Sequence, residues 1–176
     1  MSCLEERLKD LLVSVGFQEV VSYRMTSPAR EERSLLEGER VDASGASAGI
    51  DPGGYVRLAN PISADRGGLR QSQLASLLET VERNARLRER IVLFEVGKIF
   101  RSCDGDLPDE LPRLTVALTG PRELPFWEGA DTSPLDFYDL KGMLAAVFDG
   151  LHLPDVRYEP GSHPSMHPGK TARVLS

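Results

Sequence analysis

Two runs of β-forming residues separated by a short polar stretch constrain the fold of this chain most. The first run, IVLFEVGKIF at residues 91–100, is interrupted only by Gly97. The second, LTVALTG at residues 114–120, follows the stretch DGDLPDELP. That acidic, proline-containing stretch indicates an exposed hairpin loop, and strands joined by a hairpin pair antiparallel. The two runs therefore predict the centre of an antiparallel sheet.

Three segments with helical periodicity accompany these strands. Near the start, apolar residues share one helical face, and Gly16 supplies the left-handed stop typical of helix ends. A second stripe runs from Leu74 to Ala85, and a third helix begins at Asp136 and Asp139, whose carboxylates complement the helix dipole. The first stripe consists of Leu4, Leu8, Leu11, Leu12 and Val15.

Shorter elements complete the order along the chain. A charged helix is expected at residues 27–36, because proline suits the first helical turn. Short strands are expected at residues 17–23, 55–59, 156–159 and 171–175. Since hairpins are adjacent, the order predicts an α+β fold with an antiparallel β-sheet flanked by helices.

Length and composition bound the organisation of the chain. With 176 residues and 40% hydrophobic residues, one domain covering residues 1–176 is expected. The glycine-rich residues 38–54 have almost nothing to bury and predict a mobile loop, with a domain linker as the less favoured interpretation. The chain stops on an apolar strand, so the domain is expected to be truncated at its C-terminus.

Charge and cysteine content exclude several function classes. The net charge of −6 and a pI near 5.2 argue against a broad basic surface for sequence-independent nucleic-acid binding. There is neither a long apolar run nor a secretory signal, so a cytoplasmic protein without a membrane partner is expected. Cys3 and Cys103 are too few for a disulfide framework and are interpreted as free thiols.

Four strings carry the strongest functional signal, in a fixed order. They are LKDLLVSVGFQEVVSY, LANPISADRGGLRQSQLASLLETVERN, RIVLFEVGKIF and DFYDLKGMLAAVF, and HPSMHPGKTARV closes the series. Together they resemble the C-terminal, catalytic-like region of bacterial phenylalanyl-tRNA synthetase beta subunits. The resemblance runs from about Leu4 to Val174, nearly the whole chain. A single string such as DLKG would be weak evidence alone.

The resemblance implies a fold and a role. The family's module is similar to a class II aminoacyl-tRNA synthetase catalytic domain that has lost catalysis and packs against the catalytic alpha subunit in an alpha2-beta2 assembly. It would support ATP-dependent attachment of phenylalanine to tRNA(Phe), with ATP and magnesium implied for the complete enzyme and no cofactor in this fragment. Contact with tRNA(Phe) is expected through the complete enzyme, and the isolated chain is expected to self-associate through its uncovered interface.

The same resemblance selects candidate residues. The first helix and strand are similar to class II motif 1, which builds the dimer interface, although Ser22 and Tyr23 stand where its proline belongs. Burial against the chain's own sheet is an equally weighted alternative for these side chains. The candidate interface residues are Leu8, Leu11, Leu12, Gly16, Phe17 and Val20.

Arg101 follows the strand that resembles motif 2, where the family's catalytic relatives use an arginine to grip phosphate and carboxylate groups. Its surroundings lack the expected acidic residue, so Arg101 is interpreted as a degenerate position and no catalytic residue is predicted. His163 and His167 precede prolines and cannot share a regular helix, which favours a polar turn over a metal site.

Lys141 and Gly142 lie in the predicted third helix. Lys141 is expected to form a salt bridge with Asp136 or Glu110, or to make a specific contact. Gly142 is expected to mark the close approach of another backbone.

Two other functions stay open. The alternative to the scaffold role is a freestanding synthetase-like protein that binds phenylalanine or a nucleotide. A metal hydrolase that uses the late histidines is a third and weaker hypothesis.

Overall fold

The structure, a computed structural model, describes residues 3–32, 54–103, 107–163, 166–167 and 169–176. The chain divides into two compact units. The first unit comprises Met1–Val20, Leu78–Phe94 and Val116–Ser176, and the second comprises Val21–Leu77 and Glu95–Thr115. The single domain over residues 1–176 stays a prediction. The loop predicted at residues 38–54 lies outside the described residues, apart from Gly54 at its end.

The described elements follow the predicted order except around α2, where the short strands β2 and β3 were not predicted. The helices are α1 (Cys3–Ser14), α2 (Pro28–Glu32), α3 (Leu74–Asn84) and α4 (Phe137–Gly150), with a 3-10 turn at Ala64–Arg66. The strands are β1 (Gln18–Glu19), β2 (Met25–Thr26), β3 (Gly68–Leu69), β4 (Ile91–Arg101), β5 (Asp109–Thr119), β6 (Arg157–Pro160) and β7 (Ala172–Leu175). The three amphipathic helices are confirmed.

In the first unit, α1 packs against α4 and then leads into β1. Gly16 adopts a φ of +101°, and the Phe17 backbone N–H donates to the Leu12 carbonyl at 3.0 Å, so the predicted left-handed stop is confirmed. Gly150, the last residue of α4, lies against the Leu11 side chain of α1. A side chain at position 150 would collide with Leu11.

The sheets differ from the prediction of one antiparallel sheet. The largest has the strand order β1-β4-β5, and within it β1 pairs parallel with β4, with Gln18 opposite Leu93. The β2-β3 and β6-β7 pairs form two separate antiparallel ribbons. The parallel pair escaped prediction because hairpin signals report only strands that are neighbours in sequence, whereas β1 and β4 are far apart along the chain.

Two predicted strands are shorter than expected. Only Gln18–Glu19 of residues 17–23 is a strand, because the pairing with β4 ends where the Val20 N–H donates to the Phe94 carbonyl at 2.9 Å. Within residues 55–59, Arg57 makes an isolated antiparallel bridge with Gly68. The α+β class, with mostly antiparallel pairing in the described residues, is confirmed.

The two units have different interiors. In the first unit the buried residues are apolar: Leu12, Phe17, Ile91, Val92, Leu93, Phe94 and Val147. In the second unit the buried residues include polar and charged side chains as well: Thr26, Glu31, Arg70, Gln71, Gln73 and Glu95. Because buried polar groups need partners, the second unit is where a specific arrangement of side chains is required. Among the described helices, none has the length and apolar composition needed to cross a bilayer.

Two glycines of the first unit differ in the space around them, and substitution should therefore have opposite effects on stability. Within the part of the chain that the structure describes, the expectation that Gly142 marks a close backbone approach is wrong, since a Cβ built there meets no atom within 4 Å. Gly120 has a φ of +100°, and a Cβ there would lie 2.0 Å from the Glu89 carbonyl oxygen. The close approach therefore occurs after β5 and not in α4.

Gly142→Ala should stabilise the chain and Gly120→Ala should destabilise it. Alanine in an open helix-interior position lowers the entropy cost of folding and raises the unfolding free energy by about 0.5–1 kcal/mol. Alanine at position 120 meets both backbone strain and a backbone clash, so a loss of more than about 2 kcal/mol is expected. Urea denaturation followed by circular dichroism measures both. A stabilised Gly120→Ala variant would contradict the described turn.

Candidate functional site

The candidate interface residues of α1 and β1 divide into two groups. Leu12 and Phe17 are 0% and 2% exposed, so they belong to the first unit's own core. Leu8, Leu11 and Val20 are half-buried, and Gly16 is exposed. For Leu12 and Phe17 the structure therefore corresponds to the alternative of internal burial, because their side chains are already covered by the chain itself.

Arg101, the motif-2-like residue, lies at the end of β4 and is half-buried. Burial and the charge of Arg113 on β5 lower the pKa of its guanidinium. Any binding role for Arg101 stays a prediction.

The predicted salt bridge of Lys141 is wrong. The Lys141 ammonium lies 4.5 Å from the centre of the Tyr158 ring, a cation–π contact between α4 and β6. Both predicted acidic partners are engaged elsewhere, since Asp136 contacts Arg122 and Glu110 pairs with Lys98 at 2.5 Å. No local sequence pattern indicated that Tyr158 of β6 lies beside Lys141 of α4.

The late histidines lie in a turn before β7. The Gly169 N–H donates to the His167 ring nitrogen at 3.1 Å, and the Thr171 hydroxyl donates to the His167 carbonyl at 2.7 Å. These contacts use His167 to shape the turn. In the described part of the chain, no group of three histidine, cysteine or acidic residues is arranged to hold a metal ion.

A buried ion pair that the sequence analysis did not single out organises the second unit. The Arg70 guanidinium lies 2.7 Å from the Glu95 carboxylate, and the two side chains are 1% and 2% exposed. Arg70 also donates to the Lys98 carbonyl at 3.0 Å and to the Ser22 hydroxyl at 2.8 Å. Ser22 in turn donates to the second Glu95 oxygen at 2.6 Å, which closes the network. The charges are paired and hydrogen-bonded, as burial requires.

Gln73 and Gly97 complete this network. With its amide oxygen facing Arg70, Gln73 accepts from the Arg70 guanidinium at 3.1 Å and from the Gly97 N–H at 3.0 Å. A Cβ at position 97 would lie 2.6 Å from the Arg70 guanidinium. The glycine that interrupts β4 therefore makes room for the buried arginine.

The arrangement limits what Arg70 can do chemically. Its guanidinium donates to Glu95, Ser22, Lys98 and Gln73, all within the second unit. An arginine whose donors are engaged in this way has little capacity left to grip a phosphate or a carboxylate ligand. We interpret the network as structural.

A signal for this pair was present in the sequence. Arg70 belongs to the string LRQS and Glu95 to the string LFEVG. A glutamate inside an otherwise apolar β-run is rarely buried unless it is paired, so it predicts a buried cationic partner. Which cation would be the partner could not be read from sequence, because the pair joins residues that are 25 positions apart.

A second buried carboxyl group belongs to Glu31 of α2. Its Oε2 atom accepts from the Tyr55 hydroxyl at 2.8 Å and from the Gln71 N–H at 3.1 Å. Burial raises the pKa of Glu31 to about 7, although these hydrogen bonds and the charge of Arg70 oppose the rise. The other oxygen, Oε1, is buried and accepts no hydrogen bond from the described residues. The carboxyl group fixes α2 to the segment before α3.

Comparison with solved structures defines the class of fold. The chain is similar to PylSc, a pyrrolysyl tRNA synthetase from Desulfitobacterium hafniense, with a TM-score of 0.66 and 19% sequence identity, over 98% of this chain and 53% of that chain. A second structure of pyrrolysyl-tRNA synthetase from that organism gives the same TM-score over 54% of its chain. At this identity the likeness shows the fold alone, and it is the fold of a tRNA synthetase.

Sequence comparison defines the family. Residues 2–176 match the family described as the phenylalanyl tRNA synthetase beta chain CLM domain, and the chain belongs to that family. A phenylalanine–tRNA ligase beta subunit from Syntrophus aciditrophicus is 34% identical over 98% of this chain. One from Symbiobacterium thermophilum is 32% identical over 93% of it. The chain spans 20% and 17% of the lengths of these two relatives.

Glu95→Gln should destabilise the chain far more than Glu110→Gln. The first change leaves the buried Arg70 charge unpaired, and loss of one partner of a buried pair costs about 3–5 kcal/mol. The second removes one partner of the Lys98–Glu110 pair, whose side chains are both 48% exposed. Exposed pairs contribute little to stability, because water screens the two charges. Urea denaturation at pH 7 measures both, and equal losses would contradict a dominant role for the buried pair.

Glu31→Gln should change how the unfolding free energy depends on pH. The folded-state pKa of about 7 lies above the ordinary glutamate value of 4.5, so the stability contributed by Glu31 is complete below pH 4.5 and is lost as pH rises through 7. The shift corresponds to about 3 kcal/mol, which the glutamine variant should not lose between pH 4 and pH 8.

Glu110→Gln is the control for that experiment. A hydrogen bond from Lys98 lowers the pKa of Glu110, so its contribution is lost only as pH falls into the acidic range. Denaturation curves at several pH values between 4 and 8 compare the three proteins. Parallel curves for wild type and Glu31→Gln would show that Glu31 does not titrate in this range.

Proposed function

We propose that this chain is the catalytic-like, non-catalytic module of a phenylalanyl-tRNA synthetase beta subunit and that it packs against the catalytic alpha subunit. The observation that carries the proposal is the family match over residues 2–176. In this role the module supports ATP-dependent attachment of phenylalanine to tRNA(Phe) as part of an alpha2-beta2 ligase. The module contributes packing surfaces, and the alpha subunit contributes the chemistry.

The buried network supports the non-catalytic part of this proposal. A catalytic class II subunit needs an arginine free to bind phosphate and carboxylate groups. Here Arg70 directs its donors to Glu95, Ser22 and Gln73. The Arg70 guanidinium is therefore not available to bind such a ligand.

The class II assignment and the location of bound groups belong to the same proposal. The synthetase-like fold supports class II, and the four ordered strings support a module of the beta subunit. ATP and magnesium would bind the complete enzyme outside this module. Contact with tRNA(Phe) would also come through the complete enzyme, because the net charge of −6 opposes binding to a polyanion.

The subunit surface is proposed to include the uncovered side of α1 and the segment after β1. Leu8, Leu11 and Val20 are half-buried, so part of each side chain is accessible. Nearby in sequence, Leu4 and Val13 are 64% and 56% exposed. These accessible side chains take the place of Leu12 and Phe17, the two candidate interface residues that are buried. The subunit surface is also the surface through which the isolated chain would self-associate.

The alternative proposal, a freestanding protein that binds phenylalanine or a nucleotide, has less support. A cleft between α4 and β6 has a volume of about 200 Å³ and is lined by residues that include Phe148, Val156 and Tyr158. Sites for drug-sized ligands measure about 300–1,000 Å³, so this cleft is too small for a nucleotide.

Mixed with the alpha subunit from the same organism, this chain should form one complex, and alone it should be inactive. Size-exclusion chromatography with light scattering at tens of micromolar detects the complex. Phenylalanine-dependent ATP–pyrophosphate exchange measures adenylation by the chain alone. Exchange above background without the alpha subunit would support the freestanding alternative, and absence of a complex would contradict the scaffold role.

A further inference from the structure

A loop in the first unit, residues 120–135, presents apolar side chains to solvent and is closed at its base by backbone hydrogen bonds. Its two arms are joined by backbone hydrogen bonds from Leu135 to Gly120 at 2.8 Å, from Arg122 to Ser133 at 2.9 Å and from Glu123 to Asp131 at 3.0 Å. Pro121 and Pro134 also form an antiparallel bridge. These bonds make the base of the loop a short, ordered stem.

Arg122 fastens this stem to the start of α4. Its guanidinium donates to both carboxylate oxygens of Asp139, at 2.9 and 3.1 Å, and to the Ser133 hydroxyl at 2.9 Å. It also lies 3.5 Å from Asp131 and 3.5 Å from Asp136, the N-cap residue of α4. Hydrogen bonding from Arg122 lowers the pKa of Asp139. The charges of the stem are thus used internally to hold the loop in place.

The far end of the loop is apolar and open to solvent. Phe126 is 61% exposed, Trp127 is 83% exposed and Leu124 is 54% exposed. The two aromatic rings lie 5.7 Å apart at an angle of 50°, and the Gly129 N–H closes the turn on the Phe126 carbonyl at 3.1 Å. We call Leu124, Phe126 and Trp127 the aromatic tip. Tryptophan and other aromatic residues on ordered supports dominate the binding energy of protein interfaces, because little entropy is lost on docking.

The exposed charged side chains that flank the aromatic tip in sequence are negative. Glu123 and Glu128 are exposed, whereas the positive charge of Arg122 is matched by the aspartates of the stem. A negative rim repels nucleic-acid phosphates and anionic lipid headgroups, and it attracts a surface that carries lysine or arginine. Charge therefore favours a protein partner with a basic border.

We infer that the aromatic tip is a docking anchor that inserts into an apolar pocket bordered by basic residues on a partner protein. The inference rests on the proposed function, under which the catalytic alpha subunit is that partner. It adds a second contact surface to the one on α1, formed by different residues. Trp127 fills the pocket, Phe126 packs beside it, and the two glutamates face the basic border.

Trp127 also provides the probe for a test, because it is the only tryptophan of the chain. The chain labelled with 5-fluorotryptophan gives one ¹⁹F resonance, which is then recorded with and without unlabelled alpha subunit. A docked tip shifts and broadens this resonance and removes its response to exchange between H₂O and D₂O. Light scattering on the same samples reports separately whether the complex has formed.

Variants quantify the contact. Phe126→Ala with Trp127→Ala should weaken binding to the alpha subunit at least 10-fold, as expected for a pair of hot-spot residues. Glu128→Lys should weaken binding and reduce its dependence on salt. Leu87→Ala is the matched control, since Leu87 is 85% exposed in the same unit but lies far from the tip in sequence, and its affinity should stay within 2-fold of wild type.

The outcomes separate the two proposals. A complex that forms with an unchanged ¹⁹F resonance and an unaffected double variant overturns the anchor while the scaffold role stands. A complex that does not form overturns both. A resonance already shifted in the chain alone, with a dimeric mass, identifies a second copy as the occupant and overturns the assignment to the alpha subunit.

Discussion

The second unit depends on the buried pair of Arg70 and Glu95. Placing two charges in an interior is expensive, and the expense is offset only when each charge has close partners. Ser22, Gln73 and the Lys98 carbonyl supply those partners, and Gly97 leaves the space that the guanidinium needs. One ion pair thereby fixes the chain after β1, the start of α3 and the second half of β4. It also joins the string LRQS, which contains Arg70, to the string LFEVGKIF, which contains Glu95.

The same pair limits the chemistry that Arg70 can perform. The chain has the fold of a tRNA synthetase, yet its buried arginine is held by side chains of its own unit. A fold does not specify a function, which depends on the groups that remain available in a site. The proposed role as a scaffold agrees with the distribution of side chains. Buried polar side chains of the second unit bind one another, whereas aromatic and aliphatic side chains such as Trp127 and Val13 are exposed.

Local features were predictable from the sequence, and long-range features were not. The leucine stripes predicted α1 and α3, and Asp136 with Asp139 predicted the start of α4. In the structure these two aspartates form a reciprocal capping box. The parallel pairing of β1 with β4 and the contact of Lys141 with Tyr158 depend on distant segments, and no local pattern encodes them. Apolar periodicity likewise placed Leu12 on the apolar face of α1, but it could not tell whether its own unit or a partner covers it.

The proposed scaffold role requires that this chain recognise another protein subunit and not the substrates of the reaction. Hydrogen–deuterium exchange measured by mass spectrometry can test this requirement, with the chain alone, with ATP and phenylalanine, and with the alpha subunit. A scaffold should show slower exchange in α1 and in the loop at residues 120–135 when the alpha subunit is added, and no change with the small molecules. Protection by ATP or phenylalanine around Arg101 and Arg113 without the alpha subunit would instead show that the chain binds substrates itself.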